Sequence, residues 1–536
     1  MDYADSSQAR KTQWPRPLVF LSWLLITVLT AQVACAAPAP RFVQKDGRHA
    51  LLVDGKPFLM LGGQIHNSSA WPSELAQVWE SAAALHVNTL EAPIYWEQFE
   101  PQPGHFDTTN IDALVQGARA RDLRLVLLWF GTWKNGKMYY VPSWVKADTQ
   151  RFARVIRPDG EPIDVLSPLG RNTLQADKAA FVALMDYLKK IDGDKHTVLM
   201  VQVENEAGIL GSARDNSPEA NKLFEAAVPA EMLAAAHKTA GTWKEVFGDD
   251  ADEIFQVYHQ AKYINEIAAA GKAAFDIPVT INVWVTNPLA KRTTQLPGVD
   301  YPSGGAVHKR VDLWKALAPA IDAIGPDIYD KDPWVVESLM QTYLRAGYPL
   351  LIPEIGRNDN FAKDFYKALG LGAVGFAPFG IDRTGWNYLG DEKWTAHARN
   401  FELFHPMSRE IAQLEFDGKV KTAVEEAGHA SQEIDFGEWQ ATVTFPKSSG
   451  AAAPGGAALV AELGADEFFV TGTDASVVFH LKDKKPGERS QFVTVEQGHF
   501  ENGAWKPLRL WNGDEAGGGF SFHQEPEVVR VKMQKF

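Results

Sequence analysis

Between residues 42 and 410 the chain repeats one unit eight times: a short, almost wholly apolar run, then an amphipathic stretch with helical spacing. The apolar runs fall at residues 57–66, 89–96, 124–131, 197–206, 278–285, 323–329, 350–356 and 372–380. Near-continuous apolar runs of this length are what parallel strands covered on both faces require. Helical patterns lie between them, as at 73–86, 110–122, 176–190, 311–320 and 335–346. Eight such repeats predict an α/β fold, a closed (β/α)₈ barrel. An open doubly wound sheet is the alternative, but it would need a glycine-rich first turn that is missing here.

Two intervals break the rhythm. Residues 216–275 carry more helix than one crossover needs, so an insertion on the catalytic side of the barrel is expected there. Past about residue 410, alternating segments broken by Gly, Pro, Asp and Ser predict a small antiparallel β-domain over 411–536, sandwich-like. Its stretch 448–457, rich in Gly, Ala and Pro, is expected to be a mobile loop. At the other end, Arg10, Lys11 and Arg16 precede an apolar run from Leu18 to Thr30, and Ala34-Cys35-Ala36 fits an Ala-x-Ala cleavage pattern. Residues 1–36 are therefore expected to be a signal peptide, and the mature protein periplasmic or extracellular. An uncleaved anchor, or lipidation at Cys35, is the minor alternative. After cleavage no stable membrane insertion is expected, because no other stretch is long and apolar enough to cross a bilayer.

Composition removes several function classes. The net charge of −14 and the lack of a basic run argue against a nucleic-acid partner. One cysteine cannot build a disulfide framework or a thiolate metal site. No nucleophile elbow, phosphate-binding loop or zincin motif is present, and the His spacing shows no catalytic metal, so neither metal nor cofactor is expected. Gly370-Leu371-Gly372-Ala373-Val374-Gly375 matches a nucleotide-binding spacing but precedes a strand, so it reads as a tight turn. The 17 Trp suit either large cores or surfaces that stack on sugar faces.

Barrel active sites form at the carboxyl ends of the strands. There the fourth strand ends Gln202-Val203-Glu204-Asn205-Glu206, and the seventh ends Ile352-Pro353-Glu354-Ile355. An acid ending an apolar strand is costly to bury alone, which favours a cleft position. Simple alternation would set Gln202, Glu204 and Glu206 on one face.

Gln202-Val203-Glu204-Asn205-Glu206-Ala207-Gly208 resembles the Gln-Val-Glu-Asn-Glu-Tyr-Gly motif of glycoside hydrolase family 35, the β-galactosidases of the retaining clan A barrels. Gly63-Gln64-Ile65-His66, the stretch 87–107 with Trp96 and Glu100-Pro101, and Val141-Pro142-Ser143-Trp144 resemble that family's first three strands and their loops. The resemblance implies that Glu206 is the general acid/base and Glu354 the nucleophile. It also implies that Asn205 binds a sugar 2-hydroxyl and that Tyr329 steadies the nucleophile. His66, Glu97, Trp129, Asn282 and Trp284 are further candidates for substrate binding, with Trp133 and Trp386 as other cleft-lining groups. Three departures stand out: Pro93 and Ala207 replace family tyrosines, and residues 128–136 lack the family's Asn-Ala-Glu.

The implied function is an exported, retaining exo-β-galactosidase acting on plant-type oligo- or polysaccharide side chains. A β-glucosidase or α-L-arabinofuranosidase on the same barrel, or a non-catalytic carbohydrate-binding protein, is the alternative. Its partner is a carbohydrate; the oligomeric state is open.

Overall fold

The computed structural model describes residues 37–291, 294–384, 394–426, 429–445, 455–501, 503–525 and 527–536. Residues 1–36, expected to be a signal peptide, Trp386 and most of the 448–457 stretch lie outside the described residues. Eight parallel strands close on themselves: β1 (Met60–Gln64), β2 (Thr89–Tyr95), β3 (Arg124–Lys134), β4 (Val198–Asn205), β5 (Val279–Trp284), β6 (Ala323–Ile328), β7 (Leu351–Ile355) and β8 (Gly375–Pro378). Each neighbours the next in sequence, and β8 closes onto β1. The eight strands predicted from the apolar runs are all present; seven are shorter than their runs, and β3 runs three residues further, to Lys134.

Eight helices cover the barrel: α1 (Leu75–Ala84), α2 (Thr109–Arg119), α3 (Arg171–Asp192), α4 (Ala251–Ala274), α5 (Val311–Leu317), α6 (Pro333–Arg345), α7 (Asp364–Gly370) and α8 (Thr395–Phe404). In α3 the buried Leu174, Phe181, Leu184 and Leu188 fall on one side at helical spacing; α7, by contrast, is buried from Asp364 through Leu369. The stretch 216–275 divides in two. Its second half is α4, the crossover helix itself, packed beside α3. Its first half holds three short helices, Pro218–Glu225, Ala230–Ala236 and Trp243–Phe247. Ser217 caps the first, and Thr242 with Glu245 forms a capping box on the third. Trp243 is buried with its ring 5.2 Å from Phe255 of α4, so this segment packs on the outer helix.

An unpredicted ribbon precedes the barrel. Arg41–Lys45 and Arg48–Val53 pair through Asp46-Gly47, at φ 51° and 78°. A two-residue turn with both φ positive suits the twist of a hairpin, and Asp-Gly is a favoured pair for it.

Past α8 the chain forms a six-stranded and a four-stranded antiparallel sheet. Two-residue alternation decides what each face meets. Ala458 and Val460 point into the cluster between the sheets, with Phe468, Val470 and Trp439. Ala457, Leu459, Ala461 and Phe469 point the other way and join the barrel's core. Among the described residues, no helix is long and apolar enough to cross a membrane.

Candidate active site

The ends of β3, β4, β5, β6 and β7 build the site. In-register pairing sets Asp327 of β6 beside Glu354 of β7. Across from them stands Glu206, and one oxygen each of Glu206, Asp327 and Glu354 lies within 4.8 Å of the others. All three carboxyls are buried. A cavity of about 500 Å³ opens outward from them, lined also by Asn135, Trp284, Asn287, Tyr329 and Val335.

Glu206 reaches this position through an irregular strand end. Glu204 and Glu206 have φ of 61° and 45°, left-handed values that cost roughly 1–3 kcal/mol each in residues other than glycine. Local hydrogen bonds enforce them. The Trp133 N–H donates to Glu204 Oε2 at 2.7 Å, and the Glu206 N–H donates to Asn282 Oδ1 at 2.8 Å. The N–H groups of Asn135 and Gly136 donate to the carbonyls of Asn205 and Glu206, each at 3.1 Å. Gly208 then allows a close passage: at its φ of 149°, a Cβ would lie 2.7 Å from the Ser303 carbonyl oxygen.

This kink corrects the alternation. Glu204 does not share the face of Glu206; it turns toward α3 and pairs with Asp177. Asp177 accepts from Trp129 Nε1 at 2.8 Å and from the Thr132 hydroxyl at 2.6 Å. Burial pushes both carboxyls up, and that of Glu204 furthest, with the Asp177 charge adding to the effect. A proton shared between the two carboxyls is therefore expected. Glu204→Ala is expected to lower unfolding stability by about 3 kcal/mol, because it leaves the buried Trp133 N–H without its acceptor and Asp177 without its partner carboxyl. Glu204→Gln, whose amide can still donate to Asp177 and accept from Trp133, should stay within about 1 kcal/mol. Urea unfolding of the two variants checks this, and equal losses would refute the shared proton.

Glu354 accepts from the Tyr329 hydroxyl at 2.6 Å and from Gln64 Nε2 at 3.0 Å. Tyr329 is 48% exposed, yet its hydroxyl turns inward to this bond, and burial with the Glu354 charge holds its pKa well above the usual phenol value. Glu206 accepts from Asn135 Nδ2. Burial and the Glu354 charge push the Glu206 carboxyl up to about 7, against the opposing pull of Lys134, Asp327 and Asn135. Lys134 Nζ donates to Asn205 Oδ1 at 2.6 Å, which turns Asn205 Nδ2 into a buried donor with no partner among the described residues.

The structure thus gathers Glu206, Glu354, Asn205, Tyr329, Asn282 and Trp284. Trp284, 37% exposed, lines the cavity as an aromatic wall. Asn282 is committed behind the acids, bridging the Glu206 N–H and Asp327 Oδ2, so its role is to position rather than to meet sugar. Three candidates are corrected. Trp129 is wholly buried, its indole tied to Asp177 in the layer under α3. Glu97 is an exposed partner of Lys146 at 3.1 Å. His66 is buried with its N–H and Nδ1 on Asp382 Oδ1, at 2.8 and 2.7 Å, a satisfied strand-end histidine. Trp133, too, is core, donating to the Leu166 carbonyl. No residue of 216–275 lines the cavity, so the inserted helices do not wall it.

Sequence reasoning missed Asp327, Lys134, Asn135 and Glu91. Asp327 ends an apolar strand, the same signal that marked Glu206 and Glu354. Glu91, on β2, is buried with both oxygens unpartnered among the described residues, and burial with the Glu354 charge pushes it well up. Nothing in its sequence context separates it from a core position.

A family profile described as a domain of unknown function (DUF5597) matches residues 397–523. A β-galactosidase of Xanthomonas manihotis is 31% identical over 112 residues, 19% of this chain and 18% of that protein. Beta-galactosidase 8 of Oryza sativa subsp. japonica is 26% identical over 205 residues, 37% of this chain and 28% of its own length. The chain thus spans less than a third of these curated relatives. Among solved structures, a β-galactosidase from Bacillus circulans sp. alkalophilus aligns at TM-score 0.45 and 15% identity, over 66% of this chain and 57% of that one. The catalytic domain of a β-amylase from Paenibacillus polymyxa aligns at TM-score 0.45 and 12% identity, over 63% and 96%. The protein is an eight-stranded βα barrel joined to antiparallel sheets, and parts of its sequence are similar to β-galactosidases.

Proposed function

We propose that the protein is an exported retaining β-galactosidase that releases terminal galactose from oligo- or polysaccharide side chains by double displacement. One observation carries the reading: Glu206 and Glu354 face each other across the barrel mouth with carboxyl oxygens within 4.8 Å. Retaining glycosidases hold their carboxyls about 5–5.5 Å apart, whereas inverting ones leave about 6.5–9.5 Å for a water. The sugar preference rests on the β-galactosidase relatives, and export on the leader-like pattern of residues 1–36.

Each step has a group in place. Glu354, oriented by Tyr329 and Gln64, attacks the anomeric carbon as the glycosidic bond breaks. Glu206 gives its proton to the departing oxygen, then takes one from the water that cleaves the glycosyl–Glu354 ester. The free Nδ2 of Asn205 is a donor for the sugar 2-hydroxyl, and Trp284 offers a face for a ring in the cavity.

Hydrolysis of nitrophenyl β-galactoside, compared with the β-glucoside and α-L-arabinofuranoside, tests the sugar. Proton NMR of the first-formed product tests the stereochemistry: β-galactose is expected, and an initial α-anomer would end the reading. The pH profile follows from Glu206, which must carry its proton to act as an acid. Because its pKa is raised to about 7, kcat/KM on phenyl β-galactoside should fall as pH rises past about 7. A profile flat from pH 6 to 9 would contradict the role.

A further inference from the structure

Asp327 takes no part in double displacement, yet it lies within 4.8 Å of both carboxyls that do. It is held from behind: Asn282 Nδ2 donates to Oδ2 at 2.7 Å, and the same amide's oxygen takes the Glu206 N–H at 2.8 Å. Its other oxygen, Oδ1, is buried without any donor among the described residues. An ionised carboxylate would leave that oxygen unsatisfied beside two further acids, which is costly. A protonated one turns it into a donor, and the neighbouring acceptor is Glu206.

We infer that Asp327 is a positioning residue whose carboxyl O–H donates to Glu206, stabilising the Glu206 carboxylate that forms each time the acid gives up its proton. The inference rests on the acid/base reading of Glu206. Of the groups around Asp327, most favour a neutral carboxyl and Lys134 opposes it. Glu206 and Glu354 oppose a second negative charge, and Lys134 from β3 is the cation that acts against them. Tyr329, just past the end of β6, and Tyr343 from α6 are phenols with raised pKa values that add no positive charge. Burial leads these effects in pushing Asp327 well above the usual carboxylate range.

The device resolves a conflict in the site. Burial and Glu354 keep the acid loaded, but the same forces would make it a reluctant donor. A neutral hydrogen-bond donor favours the ionised product of proton transfer without adding charge. It serves again when Glu206 must act as base.

Two substitutions separate the states of Asp327. Asn is a permanent mimic of the protonated acid, with Nδ2 to give Glu206 and Oδ1 to take from Asn282; Ala removes the donor. On phenyl β-galactoside, Asp327→Asn should keep the alkaline limb of kcat/KM within about 0.5 pH unit and the rate within about 5-fold. Asp327→Ala should move the limb up by about one pH unit and lower kcat about 10-fold. A downward shift in either variant means that Asp327 carries a negative charge and overturns the inference. So does an unmoved limb in Asp327→Ala, or equal damage from Asn and Ala. Should Asp327→Ala fail to fold, the direction of the Asn limb still decides. Should the unmodified protein hydrolyse no glycoside, the functional reading fails on its own. The Glu206 titration can still be followed without turnover, from the side-chain carboxyl ¹³C signal of labelled glutamate assigned with Glu206→Gln.

Discussion

Glu354→Ala is expected to lower kcat on nitrophenyl β-galactoside by about 10⁴-fold or more, because the proposed mechanism forms its covalent intermediate on Glu354. The fold should survive. Tyr329 lies half exposed at the mouth, where water can satisfy its hydroxyl once the acceptor is gone. Removing one of three clustered acids also relieves the repulsion that raises Glu206 and Asp327. Azide added to this variant should enter the vacated space and attack the face opposite the leaving group. The product is then an α-galactosyl azide, inverted relative to substrate, and NMR of that product is the check. A variant that retains more than about a hundredth of the native kcat would remove Glu354 from the nucleophile's place.

The second large effect belongs to Glu206→Ala, and its size depends on the leaving group. With phenyl β-galactoside, which needs a proton to depart, kcat/KM should fall by about 10²–10⁴-fold. With a dinitrophenyl substrate the first step needs little help, so the glycosyl–Glu354 ester accumulates and its hydrolysis becomes limiting. Azide needs no deprotonation and should restore turnover, giving a β-galactosyl azide. Opposite azide configurations from the two variants would assign the two roles independently. An α-azide from Glu206→Ala, or no dependence on leaving group, would exchange or abolish them. The alkaline limb near pH 7 should disappear in the same variant, since the proton it reports is gone.

The barrel was legible because its strands are buried on both faces. Runs such as Leu125-Val126-Leu127-Leu128 have no polar side to hide, and the helices between them carry a clear stripe. The sheet that bridges to the barrel was legible for the same reason, since residues 457–461 are apolar on both alternating faces and serve two cores. Less was legible at the strand ends. Counting by twos placed Glu204 with Glu206, and the left-handed turns at both residues separated them. Trp129 read as a cleft aromatic, but its indole is bonded to Asp177, 48 residues away in the chain. Glu97 and His66 failed likewise, their partners Lys146 and Asp382 being distant in sequence.

Local chemistry specified the eightfold alternation and marked acids at the strand ends, since periodicity and strand-end charge are properties of neighbouring residues; the motif around Asn205 singled out Glu206. Only the closed barrel decided which third acid joined Glu206 and Glu354. Asp327 meets Glu206 and Glu354 because β6 lies in register beside β7 and Asn282 reaches over from β5. Protonation was also settled at that level: a carboxyl's charge depends on burial and on other charges within a few ångströms, and those come from five strands far apart along the chain.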